Sequence, residues 1–504
     1  MSLSGTTPKR RHPDQPALLL NRVTLFTVLG ALVPGLGLIA AKRRIAGGII
    51  LGLFLAALAV LGVWAIADRG SLIALALHPG FLRPMVVVSM VVGAVWVAII
   101  VASHLALRGD TVQVRPQRII GSVVVAALAF LVAAPTAVAA RYAYDSASLV
   151  SSVFQQQGKS NSATRPTMKP TNKKDPWANT PRVNILLLGG DSDNGKREGV
   201  RTDTVIVASV DTKTGDTVLI SLPRNTARVP FPSNSPLKKY YPKGFTNGDG
   251  TNAEYMLNAM YRNVPNTVPK DVLGKTDNLG ADVLKIGVGE AVGLKIHYYV
   301  LIDIVGFKQL INALGGITVN INTKVAIGGD TDAGIPPRDY LEPGANQHLS
   351  GYEAMWFARG RYGADDFQRM DRQRCVIDAI IKQANPTNVV SRYEAIARAS
   401  KSLIITDIPQ ETLPAFVDLS LRVKAGNVRS IVFKNAVAGF SSANPNWSAV
   451  RSRVKASLGE VKESSPRAKK PSSSTSTSTS RKPSSARTTQ ASEDISDACA
   501  YNPE

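Results

Sequence analysis

The 504-residue chain carries 59 Lys and Arg against 37 Asp and Glu, a formal net charge of +22. That length accommodates more than one folding unit, and the charge by itself would admit a nucleic-acid partner. Residues 23–140, however, are almost continuously apolar, far too long and repeated a stretch for a cleaved signal peptide.

Residues 1–22 form a basic tail with Lys9, Arg10, Arg11 and Arg22. Val23–Ala41 is apolar but short, and Pro34-Gly35 interrupts it at the centre. Lys42, Arg43 and Arg44 follow it, so both of its ends prefer the cytoplasm and it reads as a re-entrant or interfacial segment. Ile45–Ala67, Met85–Leu107 and Ile119–Ala140 each have the length and composition of a transmembrane helix. Arg108, Arg115 and Arg118 mark a second cytoplasmic loop. Three spans would leave the chain after Arg141 outside the cell membrane; a fourth span would leave it inside. Three is the expectation, a multi-pass protein with an extracytoplasmic domain. Outside the membrane the basic charge meets anionic lipid, phosphorylated glycan and wall polymer, and no nucleic acid.

Residues 141–181 have linker composition, polar and proline-containing without periodicity. Residues 182–460 read as one globular domain, and residues 461–504 as a low-complexity Ser/Thr/Pro tail. Within the domain "RVNILLLGGD", "TDTVIVASVD" and "TVLISLPR" are strands, the last two joined by a turn at Lys213-Thr214-Gly215. "NAEYMLNAMY" has helical spacing. "ADVLKIGVGEAVGL", "HYYVLID", "IVGFKQLINALGG" and "ITVNI" then alternate helix with strand. The fold class is α/β, a mixed central sheet flanked by helices and preceded by transmembrane helices. Cys375 and Cys499 are the two cysteines, and they are either a disulfide or two thiols.

The chemistry concentrates at three places. Asp191 ends the first strand and Asp203 lies twelve residues on, an oxygen pair able to hold magnesium or manganese. Arg201 shares a strand face with Asp203 by alternation, and Arg224 ends the third strand. In "FARGRYGADDFQRMDRQR", Arg359 and Arg361 would point the same way from an extended segment. From Asp366 the spacing turns helical, with Asp366, Arg369 and Gln373 on one face and Phe367, Met370, Ile377 and Ile381 on an apolar one. Arg372 pairs with Asp365 or is solvated. Guanidinium forks bind phosphate oxygens bidentately, which accounts for arginine here in place of lysine.

These blocks, in order from Arg182 to Ala384, resemble the LytR-CpsA-Psr proteins of Gram-positive and actinobacterial envelopes. The resemblance implies an enzyme that takes a glycan from a polyprenyl-pyrophosphate carrier and joins it to peptidoglycan through a phosphodiester. It implies that Asp191 and Asp203 hold magnesium, and that Arg201, Arg224, Arg359, Arg361, Arg369 and Gln373 clamp the pyrophosphate. Asp366 would assist the incoming hydroxyl, with Arg359 and Arg361 acting beside it. The lipid needs an apolar groove, for which "VGEAVGL" and "IVGFKQLINALGG" are candidates. The family commonly has Asp after the "LPR" arginine, where this chain has Asn225. The rivals are a polyprenyl-pyrophosphate hydrolase and a non-enzymatic regulator or wall anchor. The polymer itself stays open among arabinogalactan, teichoic acid and capsule.

Overall fold

The computed structural model describes residues 15–67, 79–109, 115–166, 177, 179–191, 200–331, 333–383, 404–437, 439–463 and 492–502. The chain divides into two compact units, Met1–Ser148 and Leu149–Glu504.

In the first unit, α1 (Gln15–Leu32) and the short α2 (Leu36–Ala40) are separated by the Pro34-Gly35 break. Gly35 has φ 100°, and a Cβ there would press on the Gly47 carbonyl, so only glycine makes this turn. Three helices, α3 (Arg44–Ala67), α4 (Pro79–Arg108) and α5 (Arg115–Val153), are long and apolar enough to cross a membrane. Inside these apolar helices, Thr27 Oγ1 lies 3.1 Å from His104 Nδ1, and Trp96 Nε1 donates to the Ala31 carbonyl at 2.9 Å. Both contacts fasten α1 to α4.

The second unit is built on a seven-stranded mixed sheet. Its strands are β1 (Arg182–Asp191), β2 (Arg201–Asp211), β3 (Thr217–Ser221), β4 (Tyr298–Asp303), β9 (Ile404–Thr406), β10 (Val428–Val432) and β11 (Glu493–Asp494). They lie in the order β11-β10-β3-β2-β1-β4-β9. Strands β1, β2 and β3 are antiparallel neighbours, whereas β1–β4 and β3–β10 are parallel. Period-two alternation sends residues to different cores on the two faces. Leu186, Leu188, Val205 and Val207 enter the main core with α6 (Leu257–Thr267) and α7 (Leu279–Val292). Ile206, Ala208 and Leu219 face the other way, with Leu187 packed against them. That is why "NILLL" and "VIVA" are apolar without interruption: both faces are covered.

A satellite core joins α8 (Ile304–Leu314), β5 (Ile317–Ile321), β6 (Val325–Asp330), β7 (Ile335–Leu341), β8 (Gly344–Leu349), α9 (Gly351–Arg359) and α10 (Asp366–Gln383). Among the described residues the unit also has two more helices, α11 (Leu413–Ala425) and α12 (Trp447–Glu463), and a final turn, α13 (Ile495–Ala498).

Three sequence expectations need correction. Helix α5 runs on through Val153, so the expected linker begins as helix. Its continuation is also bound to the domain: Asn161 N donates to Asp277 at 2.8 Å, Ser162 Oγ to Asp282 at 2.8 Å, and Arg165 Nη1 to the Asp407 carbonyl at 3.2 Å. Polar composition looked like solvation, yet these polar groups satisfy carboxylates of the fold. The C-terminal tail is not uniformly low in structure either. Residues 492–502 add β11 and α13 to the domain, and Cys375 and Cys499 form a disulfide. Residues 464–491 lie outside the described residues.

Candidate active site

Helix α10 carries most of the site, and its start is fixed locally. Asp365 Oδ1 accepts from Gln368 N at 2.7 Å while Asp365 N donates to Gln368 Oε1 at 3.2 Å, a reciprocal cap. Asp365 is therefore a helix cap, and it acts on Arg372 through its charge alone. One side of α10 is buried through Met370, with Val376 and Ala379 in the satellite core and Ile377 and Ile381 against the sheet. Phe367 is half-buried and outside both clusters.

Asp366 and Arg369, one turn apart, meet Arg224 and Asp203 from the sheet. Arg224 Nη1 donates to Asp203 Oδ1 at 2.9 Å, and its Nε lies 3.3 Å from Asp366 Oδ1. Arg369 Nη2 is 3.0 Å from the same Asp366 oxygen. Asp203 reaches this position through an irregularity. The β1–β2 register pairs Gly189 with Thr204 and Gly190 with Thr202, so Asp203 is the extra residue of a β-bulge. The bulge turns Asp203 and Thr204 both into the cavity beside the helix.

Electrostatics binds the four groups into one system. Burial pushes the Asp203 carboxyl up, but Arg224, aided by Arg369 and a hydrogen bond from Asn258, outweighs it and holds the carboxyl below its usual range. Burial works against the Arg224 cation, and Asp203 and Asp366 more than restore it, raising its pKa. Arg369 is only 2% exposed. Its desolvation, opposed by Asp366, takes it down to about 10, and it stays charged at neutral pH. Asn225 is exposed in a turn, so Asp203 and Asp366 orient Arg224 and position 225 does not.

The segment after α9 is not extended, contrary to the reading of Arg359 and Arg361. Arg359 is the last residue of α9, and its guanidinium lies 6.0 Å from the Trp356 ring centroid. Helix α9 starts on a Ser350–Glu353 capping box and packs Gly351 against α8, where a Cβ would strike the Lys308 carbonyl oxygen. At its far end Arg372 donates through Nε to the Phe357 carbonyl at 2.6 Å and through Nη2 to the Gly360 carbonyl. A guanidinium thus closes the last turn's open carbonyls. Gln373 Nε2 donates to the Ala358 carbonyl at 3.2 Å, a second tie between the helices. Sequence reading missed Arg372's role because nothing in the chain says which carbonyls a guanidinium will find.

A cavity of about 280 Å³ opens beside this cluster. Asp203, Arg359, Arg369 and Gln373 line its polar part; Val300, Ile302, Phe307 and Ile380 are among its apolar walls. Of the two segments considered for a groove, "IVGFKQLINALGG" supplies Ile304, Phe307 and Leu310. "VGEAVGL" does not take part, because Val288 and Val292 are locked in the main core on the other face of the sheet.

Arg201 makes its ion pair with Glu254, which also binds Arg262 and accepts from Asn263 Nδ2 at 2.8 Å. It is adjacent to the cluster in sequence but carries no ion pair to Asp203, Asp366 or a cavity residue among the described contacts. Arg361 is exposed, and its charge is felt at Arg369. The Asp191 backbone ends β1 opposite Arg201, and its side chain lies outside the described residues. Among the described residues no group of three or more His, Cys, Asp and Glu is placed to hold a metal ion. Asp203 offers carboxylate oxygen of the kind magnesium takes, with Oδ1 engaged by Arg224.

A sequence model described as the LytR_cpsA_psr family matches residues 148–462, more than half of the chain. Over 262 residues the chain is 28% identical to an Enterococcus faecalis protein named polyisoprenyl-teichoic acid–peptidoglycan teichoic acid transferase TagU, covering 51% of this chain and 70% of that protein. It is 28% identical over 238 residues to Bacillus subtilis TagV, of the same transferase name, covering 47% of this chain and about half, 51%, of the relative. The crystal structure of Bacillus subtilis TagV aligns with 25% identity and a TM-score of 0.39, covering 56% of this chain and 98% of that one. By the extent of the family match, this chain is a member of the LytR_cpsA_psr family.

Proposed function

We propose that this protein is a membrane-anchored phosphotransferase that moves a glycopolymer from a polyprenyl-pyrophosphate carrier onto peptidoglycan through a phosphodiester bond. One observation carries the reading: Arg224 from the turn after β3 and Arg369 from a buried helix face converge on Asp366 beside a cavity with mostly apolar walls. A diphosphate on a lipid needs that pairing of environments, cationic and greasy.

In the proposed reaction Arg224, Arg359, Arg361 and Arg369 grip the diphosphate oxygens, with Gln373 fixing α10 to α9 and Arg201 contributing from the β2 end. The acceptor hydroxyl oxygen attacks the phosphorus attached to the glycan. The bond from that phosphorus to the bridging oxygen breaks, polyprenyl monophosphate departs, and the hydroxyl proton passes to Asp366. Phosphoryl transfer of this kind demands position and charge stabilisation above all. Asp191 and Asp203 would hold a magnesium ion, which would neutralise phosphate charge when bound.

The likeness to proteins named teichoic acid transferases supports the transferase class. The Cys375–Cys499 disulfide supports an oxidising, extracytoplasmic setting for the domain, as do the basic flanks of the apolar helices. Anchoring would confine enzyme and lipid-borne donor to one surface. The test is full-length protein in lipid nanodiscs with a labelled polyprenyl-pyrophosphate glycan and peptidoglycan. A phosphodiester-linked adduct is expected, and its loss in Arg369→Ala. Release of glycan phosphate without adduct would overturn transfer in favour of hydrolysis.

A further inference from the structure

The cavity has a side wall that the reaction above does not use. Ile206 and Ile377 line the cavity, and both belong to a cluster that also contains Ala208, Leu219 and, from the far C-terminus, Ile495. The cavity lies under α10 along β2, β1, β4 and β9, through residues such as Ile206, Leu187, Val300 and Ile404. On the same side of the sheet, toward β3 and β10, the apolar space is filled by Ile495, which is 2% exposed. Twenty-eight residues outside the described set separate α12 from this segment, yet the chain returns to place one isoleucine there.

That segment is fastened at each end and along its length. Cys499 is bonded to Cys375 of α10, two residues before Ile377. Glu493 binds Arg374 of α10 at 2.8 Å while β11 pairs with β10. Asn320 and Asn322 of β5 and its exit donate to the Cys499 and Ala500 carbonyls at 2.9 and 3.0 Å. The Asn502 N–H donates back to Asn322 at 2.9 Å. A merely passive tail does not require these six attachments, two of them to the helix that roofs the cavity.

We propose that the latched segment 492–502 is the stop that sets how much polyprenyl chain the cavity accepts, with Ile495 as the residue that determines chain length. The inference rests on the donor reading above. Its physical basis is that α10 is shared. The spacing between α10 and the sheet on the β3–β10 side is held by Ile495 and by the Cys375–Cys499 and Arg374–Glu493 ties. Ile495 backs Ile206 and Ile377, which line the cavity, so shortening it lets that wall recede, while Arg359 and Arg369 belong to another part of the lining.

The test uses the full-length protein in detergent micelles with a series of polyprenyl diphosphates from two to eleven isoprene units. Relative affinities are measured within each variant, so a lower folded fraction cancels. Wild type should favour some lengths over others. Ile495→Ala should move the optimum to longer chains, changing the long-to-short ratio by roughly tenfold, the scale on which apolar pockets discriminate added methylenes. Ile495→Val should move it the same way by less, and Cys499→Ser should broaden it. An unchanged profile in Ile495→Ala and Ile495→Val overturns the stop. Wild-type protein that binds no member of the series overturns the donor reading instead, so the two failures are distinct.

Discussion

Asp407→Asn is the substitution whose cost the structure defines most closely. Lys285 is 2% exposed on α7, and its Nζ donates to Asp407 Oδ2 at 2.6 Å. Asp407 Oδ1 accepts the Tyr299 N–H at 2.8 Å, tying β4 to the residue after β9. Asparagine keeps the Tyr299 bond but removes the charge and turns an amide toward an ammonium. A buried ion left without its counter-charge costs about 3–5 kcal/mol. Burial lowers the Lys285 pKa, and Asp407 is the main opposing influence. Removing it lowers that pKa further, while the unfolded lysine keeps a value near 10.5. Between the two values the unfolded chain binds more protons, so stability rises with pH across that window. The Asp407→Asn deficit should therefore shrink between pH 7 and pH 10. Urea unfolding of the full-length protein in micelles, followed by tryptophan fluorescence, reports on it, because Trp177 is buried in the same core as Ile408. Lys285→Met in the Asp407→Asn background should recover part of the loss, because the buried ammonium is gone and Asp282 keeps its hydrogen bonds from Ser162 and Thr276. A deficit below about 1 kcal/mol, or one that is flat with pH, would refute the reasoning.

Other outcomes follow from the site. Asp366→Asn should cut transfer by roughly 10²–10⁴-fold while binding of polyprenyl diphosphate holds or tightens, because a negative neighbour is gone; full activity would end its proton-accepting role. Arg372→Met should release the Phe357 and Gly360 carbonyls and lower kcat/KM by about 10- to 100-fold through misplacement of Arg359, and lysine should not rescue it because it cannot bridge two carbonyls as a fork. Breaking the disulfide in Cys375→Ser should lower unfolding free energy by up to about 5 kcal/mol, the loop-entropy value for the 124-residue separation, measured against wild type in denaturant.

What the sequence could reveal was set by how local the cause was. The central strands were readable from uninterrupted apolar runs, and α10 from the Asp366, Arg369, Gln373 spacing. The ends of α9 were not, because the segment from Phe357 to Tyr362 is shaped by Arg372 fifteen residues later and by Gly360 against the Ala326 carbonyl. The cluster itself was legible as residue types but not as partners. That Asp203 joins Arg224 depends on a bulge, and a bulge leaves no mark in an alternating strand beyond the two glycines opposite. The segment around Ser162 and the C-terminal latch were misjudged for one reason: composition reports average solvation, while a few specific bonds to Asp282, Asp407 and Arg374 decide order.

The two carboxylates in an anion clamp then have a physical explanation. Arg224 and Arg369 cannot stay charged against an apolar wall without compensation, and Asp203 and Asp366 supply it. The two are not equivalent. Asp203 takes an aligned hydrogen bond from Arg224 at 2.9 Å and reinforces it through Asn258. Asp366 lies 3.0 and 3.3 Å from its two guanidiniums, and neither of its buried oxygens meets hydrogen-bond geometry. It is held by charge and not by directed bonds. In the proposed reaction a diphosphate would compete for the same guanidiniums on better terms, as a bidentate and more highly charged partner. Asp203 would keep Arg224 oriented through the exchange, while Asp366, released from its cations, would be free to meet the acceptor hydroxyl. The pairing that stabilises the site at rest thus also prepares its base.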